Sequence, residues 1–139
     1  MRQSYIRSLI FLVLFVAGYF AVARTGTERL LFDDACIEAR SFLMTVCRMG
    51  EVSETSLDAF VNALPHGYGA FDISLECQRN SGDRRRSFAA DSAVIYDAVE
   101  KNGFYRFEYN DEVILKLSRN DHSFLCRGRV NGMRRYGED

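Results

Sequence analysis

The sequence predicts an α+β protein in which a long N-terminal helix, first transmembrane and then amphipathic, packs on a small antiparallel sheet. Three observations lead to this fold class. They are an uncharged apolar run near the N-terminus, a stretch of helical periodicity after it, and alternating apolar and polar residues in the second half. The chain has 139 residues, 47% of them hydrophobic, and a single proline, which suits one compact domain and argues against a disordered chain.

The apolar run covers residues 8–23, which contain no charged side chain and follow a basic N-terminal tip. This arrangement is typical of a segment that the export machinery recognises. Two interpretations stay open. Extended by Ile6, by Arg7 with its charge reaching the membrane surface, and by the neutral residues 25–27, the run is long enough to cross a bilayer. Alternatively, Ala21 and Ala23 fit the small-x-small rule for signal cleavage. We therefore expect either a single-pass protein of the cell membrane with its head outside the cytoplasm, or a secreted protein.

Small residues occur within the run at the spacing at which transmembrane helices pack closely. Ala17 and Ala21 are four residues apart, and Gly18 stands beside them. Small side chains at this interval let two helix backbones approach in a membrane. The pattern predicts a helix-packing surface for a homo- or hetero-oligomer.

Helical periodicity continues beyond the apolar run. Residues 27–49 contain no proline or glycine, and apolar side chains recur every three or four residues between Phe32 and Cys47. Gly50 suits the end of this helix. The sequence therefore divides into an N-terminal membrane anchor or signal segment (1–24), an amphipathic stalk helix (25–50), an extracytoplasmic α+β head (51–131) and a flexible tail (132–139).

The elements of the head are predicted from caps, turns and alternation. In order, we expect a helix from near Ser53 to before Pro65, a strand over 71–77, a polar loop over 79–91, a helix from Asp91 to Gly103, two strands over 104–109 and 112–118, and a last strand over 124–130. The strands 104–109 and 112–118 are interpreted as a hairpin with a three-residue loop, which pairs Phe107 with Val113.

Four cysteines fall on apolar faces of the predicted elements. Cys36 and Cys47 lie on the stripe of the stalk helix, about 16 Å apart along its axis, so they cannot bridge each other. Cys77 and Cys126 lie on two strands. An exported domain with an even number of inward cysteines favours disulfides, either from helix to sheet or between Cys77 and Cys126. The alternative is that all four are thiols that pack in the core.

Composition and motifs argue against several classes of function. The formal net charge of −1 argues against a nucleic-acid binder. The sequence contains no nucleophile elbow, glycine-rich phosphate loop or zinc-site spacing. We therefore predict no catalytic residue, no metal and no cofactor, and a protein that is not an enzyme. Arg84, Arg85 and Arg86 form the densest charge cluster, a candidate docking patch for an acidic partner or phosphate, with a solvated loop as the alternative.

Three phrases of the sequence carry a family resemblance. They are Arg48 to Glu54 (RMGEVSE), Phe71 to Glu76 (FDISLE), and Gly103 to Phe107 (GFYRF) followed by Asn110 and Asp111. Together they resemble small single-span proteins of clostridia-like bacteria that accompany tight-adherence (Flp-type) pilus assembly components. The resemblance implies a pilin-like or pseudopilin-like fold with a structural or assembly role in a surface pilus or secretion apparatus. It also implies membrane lipid and other pilus subunits or assembly proteins as partners. The alternative is a cleaved, secreted, disulfide-stabilised small binding protein.

Overall fold

A computed structural model describes the backbone of residues 2–66, 70–81 and 85–132, with side chains at 5–66, 70–79 and 88–132. The chain divides into two compact units, Met1–Asp33 and Asp34–Asp139. The elements are α1 (Arg2–Met49), β1 (Glu51–Ser53), α2 (Glu54–Ala63), β2 (Asp72–Ser81), β3 (Arg85–Ala90), α3 (Ser92–Asn102), β4 (Phe104–Arg106), β5 (Glu112–Arg119) and β6 (His122–Arg129). The predicted class is confirmed, because a long N-terminal helix packs on small antiparallel sheets.

The strands of the second unit form two antiparallel sheets. β1 pairs with β4, and a four-stranded sheet has the order β3-β2-β5-β6. Cys77 lies opposite Val113, and Leu115 lies opposite Cys126. Because successive side chains of a strand point to opposite faces, this register places one apolar set on the inner face of the sheet. The set is Ile73, Leu75, Cys77, Val113, Leu115, Leu117, Phe124, Cys126 and Gly128.

The C-terminal part of α1 supplies one side of the core. Its buried residues recur at helical spacing, as predicted, and they are Ala35, Ala39, Phe42, Leu43, Val46 and Cys47. Phe42 stacks on Phe60 of α2 with ring centroids 4.5 Å apart. Leu75 and Leu115 of the sheet are completely buried in the same cluster. The amphipathic face of α1 is therefore held by tertiary packing.

Local capping signals define both short helices. Ser53 caps α2 in a reciprocal arrangement, since its hydroxyl accepts the Ser56 N–H and the Ser56 hydroxyl accepts the Ser53 N–H. The Asp91 side chain accepts the Val94 N–H at the start of α3. Gly103 ends α3 with φ of 81°, a left-handed conformation that glycine adopts without strain. These caps confirm the predicted positions of the two helices.

Side chains of α3 complete the edge of β2 where β3 stops. β3 pairs with residues 77–81 of β2, so none of the described strands lies beside the earlier part of β2 on that side. The Ser92 hydroxyl accepts the Leu75 N–H and lies 2.9 Å from the Leu75 carbonyl oxygen, to which it can donate. One turn later, the Tyr96 hydroxyl donates to the Ile73 carbonyl at 2.9 Å. The helix thus satisfies backbone groups that an open edge would leave unpaired.

We expect Ser92→Ala to lower the free energy of unfolding by about 1–3 kcal/mol, because the Leu75 N–H and C=O lose their partner beneath α3. Pulse proteolysis of the full chain in urea and neutral detergent measures the change. Ser123→Ala is the matched control, since Ser123 is exposed on β6 and its substitution should change stability by less than about 0.5 kcal/mol. Equal effects of the two substitutions would contradict this role of Ser92.

The segment predicted as a polar loop at 79–91 is instead mostly strand. β2 continues to Ser81, and β3 pairs Arg85 with Ser81 and Phe88 with Gln78. The prediction was wrong because an edge strand needs no apolar alternation when its neighbour supplies the hydrogen-bonding edge. Residues 82–84 lie outside the described residues.

The predicted hairpin of strands 104–109 and 112–118 is also wrong. β4 pairs with β1, placing Tyr105 opposite Val52, whereas the neighbours of β5 are β2 and β6. The chain turns away between the two segments because Asn110 is left-handed, with φ of 71°, and the Asp111 carboxylate accepts the Glu108 N–H. β1 is three residues long and lies between two helices in the chain, so it is too short for a periodic pattern to predict it.

Candidate functional site

The N-terminal part of α1 presents a continuous apolar surface. An 18-residue window of this helix has a mean hydropathy of 2.2, and none of it is buried. Large apolar side chains from Tyr5 to Val22 are exposed around the whole helix. By length and composition the helix is able to cross a membrane. A signal sequence meets the same criterion, so the choice between anchor and cleaved segment stays open.

The two threonines that follow Arg24 donate their hydroxyl groups to the helix backbone. Thr25 donates to the carbonyl of Ala21 at 2.8 Å, and Thr27 donates to the carbonyl of Ala23 at 2.9 Å. A hydroxyl bonded to the preceding helical turn is less costly to bury in lipid than one without a partner. These two hydroxyl groups therefore add little cost to an extension of the apolar span to Thr27, and the one charged residue that this extension includes is Arg24, whose Nε lies 3.5 Å from Oε1 of Glu28.

The predicted packing and cleavage residues lie exposed on this helix. Apart from adjacent residues and the backbone of α1 itself, no atom lies within 4 Å of the position that a Cβ on Gly18 would occupy, and Ala17, Ala21 and Ala23 are also exposed. The surface is accessible to a neighbouring helix and to a peptidase. Both roles stay predictions.

Three of the four cysteines lie between α1 and β6. Cys47 packs on Gly128, where an added Cβ would be 2.6 Å from its sulfur, and Cys126 is on the same face of β6. Burial raises the pKa of the Cys47 thiol to about 11, with a smaller contribution from Cys126. Burial also raises the pKa of Cys126. The nearby Arg40 lowers this pKa and Cys36 raises it, and both effects are smaller than that of burial. Cys47 and Cys126 are consequently protonated and weakly nucleophilic at neutral pH.

None of the four cysteines, all of which the structure describes, forms a disulfide. Because β5 separates β2 from β6, Cys77 and Cys126 lie two strand spacings apart, about 9–10 Å, which is farther than a disulfide reaches. A helix-to-sheet link is the alternative that the architecture accommodates, and the disulfide itself stays a prediction.

We expect the folded chain to lose stability as the pH rises above about 9. Thiols of the unfolded chain deprotonate near pH 8.5, whereas Cys47 keeps its proton until about pH 11. The unfolded state therefore binds fewer protons in this interval, and stability falls by about 1.4 kcal/mol per pH unit for this thiol. Pulse proteolysis from pH 7 to 11 measures the slope. Cys47→Ala should make it shallower by that amount, and an unchanged slope would contradict the assignment.

A buried polar cluster surrounds the fourth cysteine. The Cys77 thiol donates to Oδ2 of Asp111 at 3.4 Å, and Asp111 is only 2% exposed. Its other oxygen, Oδ1, lies 3.5 Å from Nε of Arg79, whose guanidinium also pairs with Glu108 at 3.1 Å. Burial raises the pKa of Cys77 to about 12, and the Asp111 carboxylate adds to the shift. This thiol is a hydrogen-bond donor at neutral pH, and the cluster holds the turn before β5 in place.

Sequence analysis missed Arg79 and Asp111 as members of this cluster. Arg79 was assigned to a loop, and Asp111 to a turn. Their meeting depends on the register between β2 and β5, which no local pattern reveals. In the part of the chain that the structure describes, no three His, Cys, Asp or Glu side chains are grouped to hold a metal ion.

An arginine-lined groove of about 350 Å³ lies between the end of α1 and β6. We call it the arginine groove. It is lined by Leu43, Met44, Cys47, Arg48, Arg127, Gly128, Arg129 and Asn131. These lining residues bring together three positive charges and no negative charge. Arg127 approaches Glu112, outside the lining, at 4.0 Å, the outer limit of an ion pair. Sequence analysis missed this site, because its two walls are about eighty residues apart in the chain.

Of the docking patch predicted at Arg84, Arg85 and Arg86, the last two residues lie on β3, at the opposite end of the sheet order from β6. Arg84 lies outside the described residues, and Arg85 and Arg86 belong to β3, with side chains outside the described set. The patch stays a prediction.

Comparison of the chain with protein-family models, with curated proteins and with solved structures gives no match. The features of the described residues that bear on function are the apolar helix, the cysteines and the arginine groove.

Proposed function

We propose that the chain is a membrane-anchored, pilin-like or pseudopilin component of a surface pilus or secretion apparatus, with a structural or assembly role and no chemistry of its own. The observation that supports this most is α1. One helix, Arg2–Met49, contains both a fully exposed apolar segment and the amphipathic segment that builds the core of the second unit. The three phrases that resemble proteins of Flp-type pilus loci agree with this architecture.

Lipid is the partner that best fits the apolar segment. Its exposed side chains include Phe11, Phe15 and Phe20, each at least two-thirds accessible. An exposed apolar surface of this size is unfavourable in water and is covered in the functional state. A bilayer covers all sides of a single helix at once, and the residues around the helix are apolar on every side.

Other pilus subunits are the proposed protein partners. Ala17 and Ala21 lie one turn apart on the exposed helix, where close approach of a second helix is sterically free. The assembly is a homo- or hetero-oligomer with contacts in the membrane. The head then lies outside the cytoplasm.

The experiment is an intact mass of the protein from its native host, recorded separately for membrane and soluble fractions and without reductant. The proposal predicts a full-length chain in the membrane fraction. A mass lacking residues 1–23 in the soluble fraction would reject it in favour of the secreted binding protein. Each disulfide lowers the mass by about two daltons, so the same spectrum tests the state of the cysteines.

Cross-linking tests the assembly role. A photoreactive residue in place of Ala21 should capture a pilus subunit, because the small-residue face approaches a neighbouring helix most closely. The matched control is the same photoreactive residue in place of Tyr19, which lies on roughly the opposite side of α1. If the chain is retained in membranes but no cross-link forms from position 21, the result would support the membrane anchor and contradict the proposed assembly contact.

A further inference from the structure

We propose that the arginine groove binds an extended, acidic segment of a partner protein, which adds to the sheet as a strand beside β6. The inference goes beyond the proposed function and does not depend on it, because it concerns the second unit alone. Three observations carry it: the free backbone edge of β6, the charge of the groove, and its apolar floor.

The backbone groups of β6 that face the groove are those of Arg127 and Arg129. Both backbone groups of Val130 form hydrogen bonds on the β5 side of β6. Its N–H donates to the Asp111 carbonyl at 2.8 Å, and its C=O accepts the Asn110 N–H at 2.9 Å. Successive residues of an antiparallel strand direct these groups to alternate sides. Arg127 and Arg129 therefore point theirs away from β5, toward the edge where the described sheet has no further strand.

The lining of the groove includes the edge of the sheet as well as the inner face, where Gly128 packs on Leu43 and Cys47. Arg127, Gly128 and Arg129 all line it, although their side chains alternate between the two faces. Three consecutive residues of a strand line one cavity together where the strand presents its backbone to that cavity. An extended segment placed there would receive N–H donors and C=O acceptors at a two-residue repeat.

The charge of the groove selects an acidic segment. Arg48 on α1 and Arg127 and Arg129 on β6 surround the edge, and no lining residue is acidic. Guanidinium groups bind carboxylates through paired, charge-assisted hydrogen bonds. A basic or neutral segment would lack this contribution. Charge complementarity therefore favours a strand that carries carboxylates.

The floor of the groove adds an apolar contact. Leu43 is buried beneath it, and Met44 is 73% exposed at its rim. Alternate residues of an added strand point toward and away from this floor. The matching partner sequence alternates acidic with apolar residues.

A second copy of this chain does not fit the groove through the same edge. Pairing β6 with β6 would bring Arg127 and Arg129 close to the same residues of the other copy. Like charges opposite each other on adjacent strands are destabilising. The arginines therefore act against self-association while they attract an acidic partner.

The test uses the full chain in nanodiscs of neutral phosphatidylcholine and a fluorescent, end-blocked peptide of sequence TEVEVET. We expect saturable binding by fluorescence anisotropy and protection of backbone amides within 122–132 from hydrogen exchange. The peptide TKVKVKT should bind at least about tenfold more weakly, because its charges repel the groove. A TEVEVET peptide with N-methyl groups on alternate residues should also lose binding, because it cannot complete the strand hydrogen bonds.

The variant Arg127→Gln with Arg129→Gln should weaken TEVEVET binding about tenfold, since each exposed ion pair contributes up to about fivefold. The control is Lys101→Gln with Arg106→Gln, which removes the same charge from α3 and β4 and should leave binding unchanged. The unfolding midpoint of each variant shows that the fold is retained.

Three results would overturn the proposal. The first is no binding of TEVEVET at millimolar concentration. The second is binding that survives N-methylation, which would indicate only diffuse charge attraction, or affinity that is unchanged in the arginine double variant, which would show that Arg127 and Arg129 do not hold the peptide. The third is loss of binding when phosphatidylglycerol replaces phosphatidylcholine while the peptide-free groove becomes protected, which would identify an anionic lipid as the ligand.

Discussion

We expect Gly132→Ala to lower the free energy of unfolding by about 3 kcal/mol. A Cβ at this position would overlap the carbonyl oxygen of Arg48, which is backbone and cannot rotate away. The N–H groups of Asn131 and Gly132 also donate to the Cys47 carbonyl at 3.1 and 3.2 Å. They satisfy an acceptor at the C-terminus of α1 that has no partner within the helix. Moving the chain to make room for a methyl group would break these bonds as well.

Alanine substitutions at two further glycines distinguish the destabilisation caused by steric crowding from that caused by a positive φ. Gly50 and Gly103 both have positive φ, 72° and 81°, so alanine at either position costs about 1 kcal/mol from conformation alone. A Cβ on Gly103 meets nothing within 4 Å, whereas one on Gly50 would be 2.6 Å from the carbonyl oxygen of Gly132. Gly50→Ala should therefore be clearly more destabilising than Gly103→Ala.

Pulse proteolysis of the three variants in neutral detergent measures these differences. If Gly132→Ala and Gly50→Ala were no more destabilising than Gly103→Ala, the result would contradict the close approach of residues 131–132 to the end of α1. The arginine groove would then also lose its proposed shape, because Arg48 and Asn131 line it from the two sides of this junction.

The elements that sequence analysis located correctly carry local signals. Ser53 and Asp91 begin helices through their own side chains, and Gly103 ends one through its backbone conformation. Residues 71–77 alternate because one face of β2 is buried against α1 and the other is not. Each of these signals lies within a few residues of the structure that it determines.

The features that sequence analysis missed depend on pairing between distant segments. β1 exists because β4 lies beside it, and three residues are too few for a periodic pattern. Arg79 meets Asp111 only because of the register of β2 on β5. The arginine groove likewise brings Arg48 close to residues of β6. Because Arg48 is far from Arg127 and Arg129 in the chain, the three arginines do not form a charge cluster in the sequence.

Removal of the buried carboxylate should have an effect similar to that of Gly132→Ala. We expect Asp111→Ala to lower the free energy of unfolding by about 3 kcal/mol. The substitution removes the acceptor of the Glu108 N–H at 2.9 Å and of the Cys77 thiol at 3.4 Å. It also removes the carboxylate that faces Arg79. Asp58→Ala is the matched control, because Asp58 is exposed on α2 and its loss should change stability by less than about 0.5 kcal/mol.

A double-mutant cycle assigns the thiol its share of this effect. Cys77→Ala removes the donor alone, and the coupling between Cys77→Ala and Asp111→Ala should be about 1 kcal/mol if the hydrogen bond exists. A coupling near zero would mean that the thiol is only packed beside the carboxylate. The backbone of Asp111 also accepts the Val130 N–H at 2.8 Å, at the end of β6. Asp111→Ala should therefore weaken TEVEVET binding to the arginine groove, whereas Cys77→Ala, which leaves the turn intact, should not.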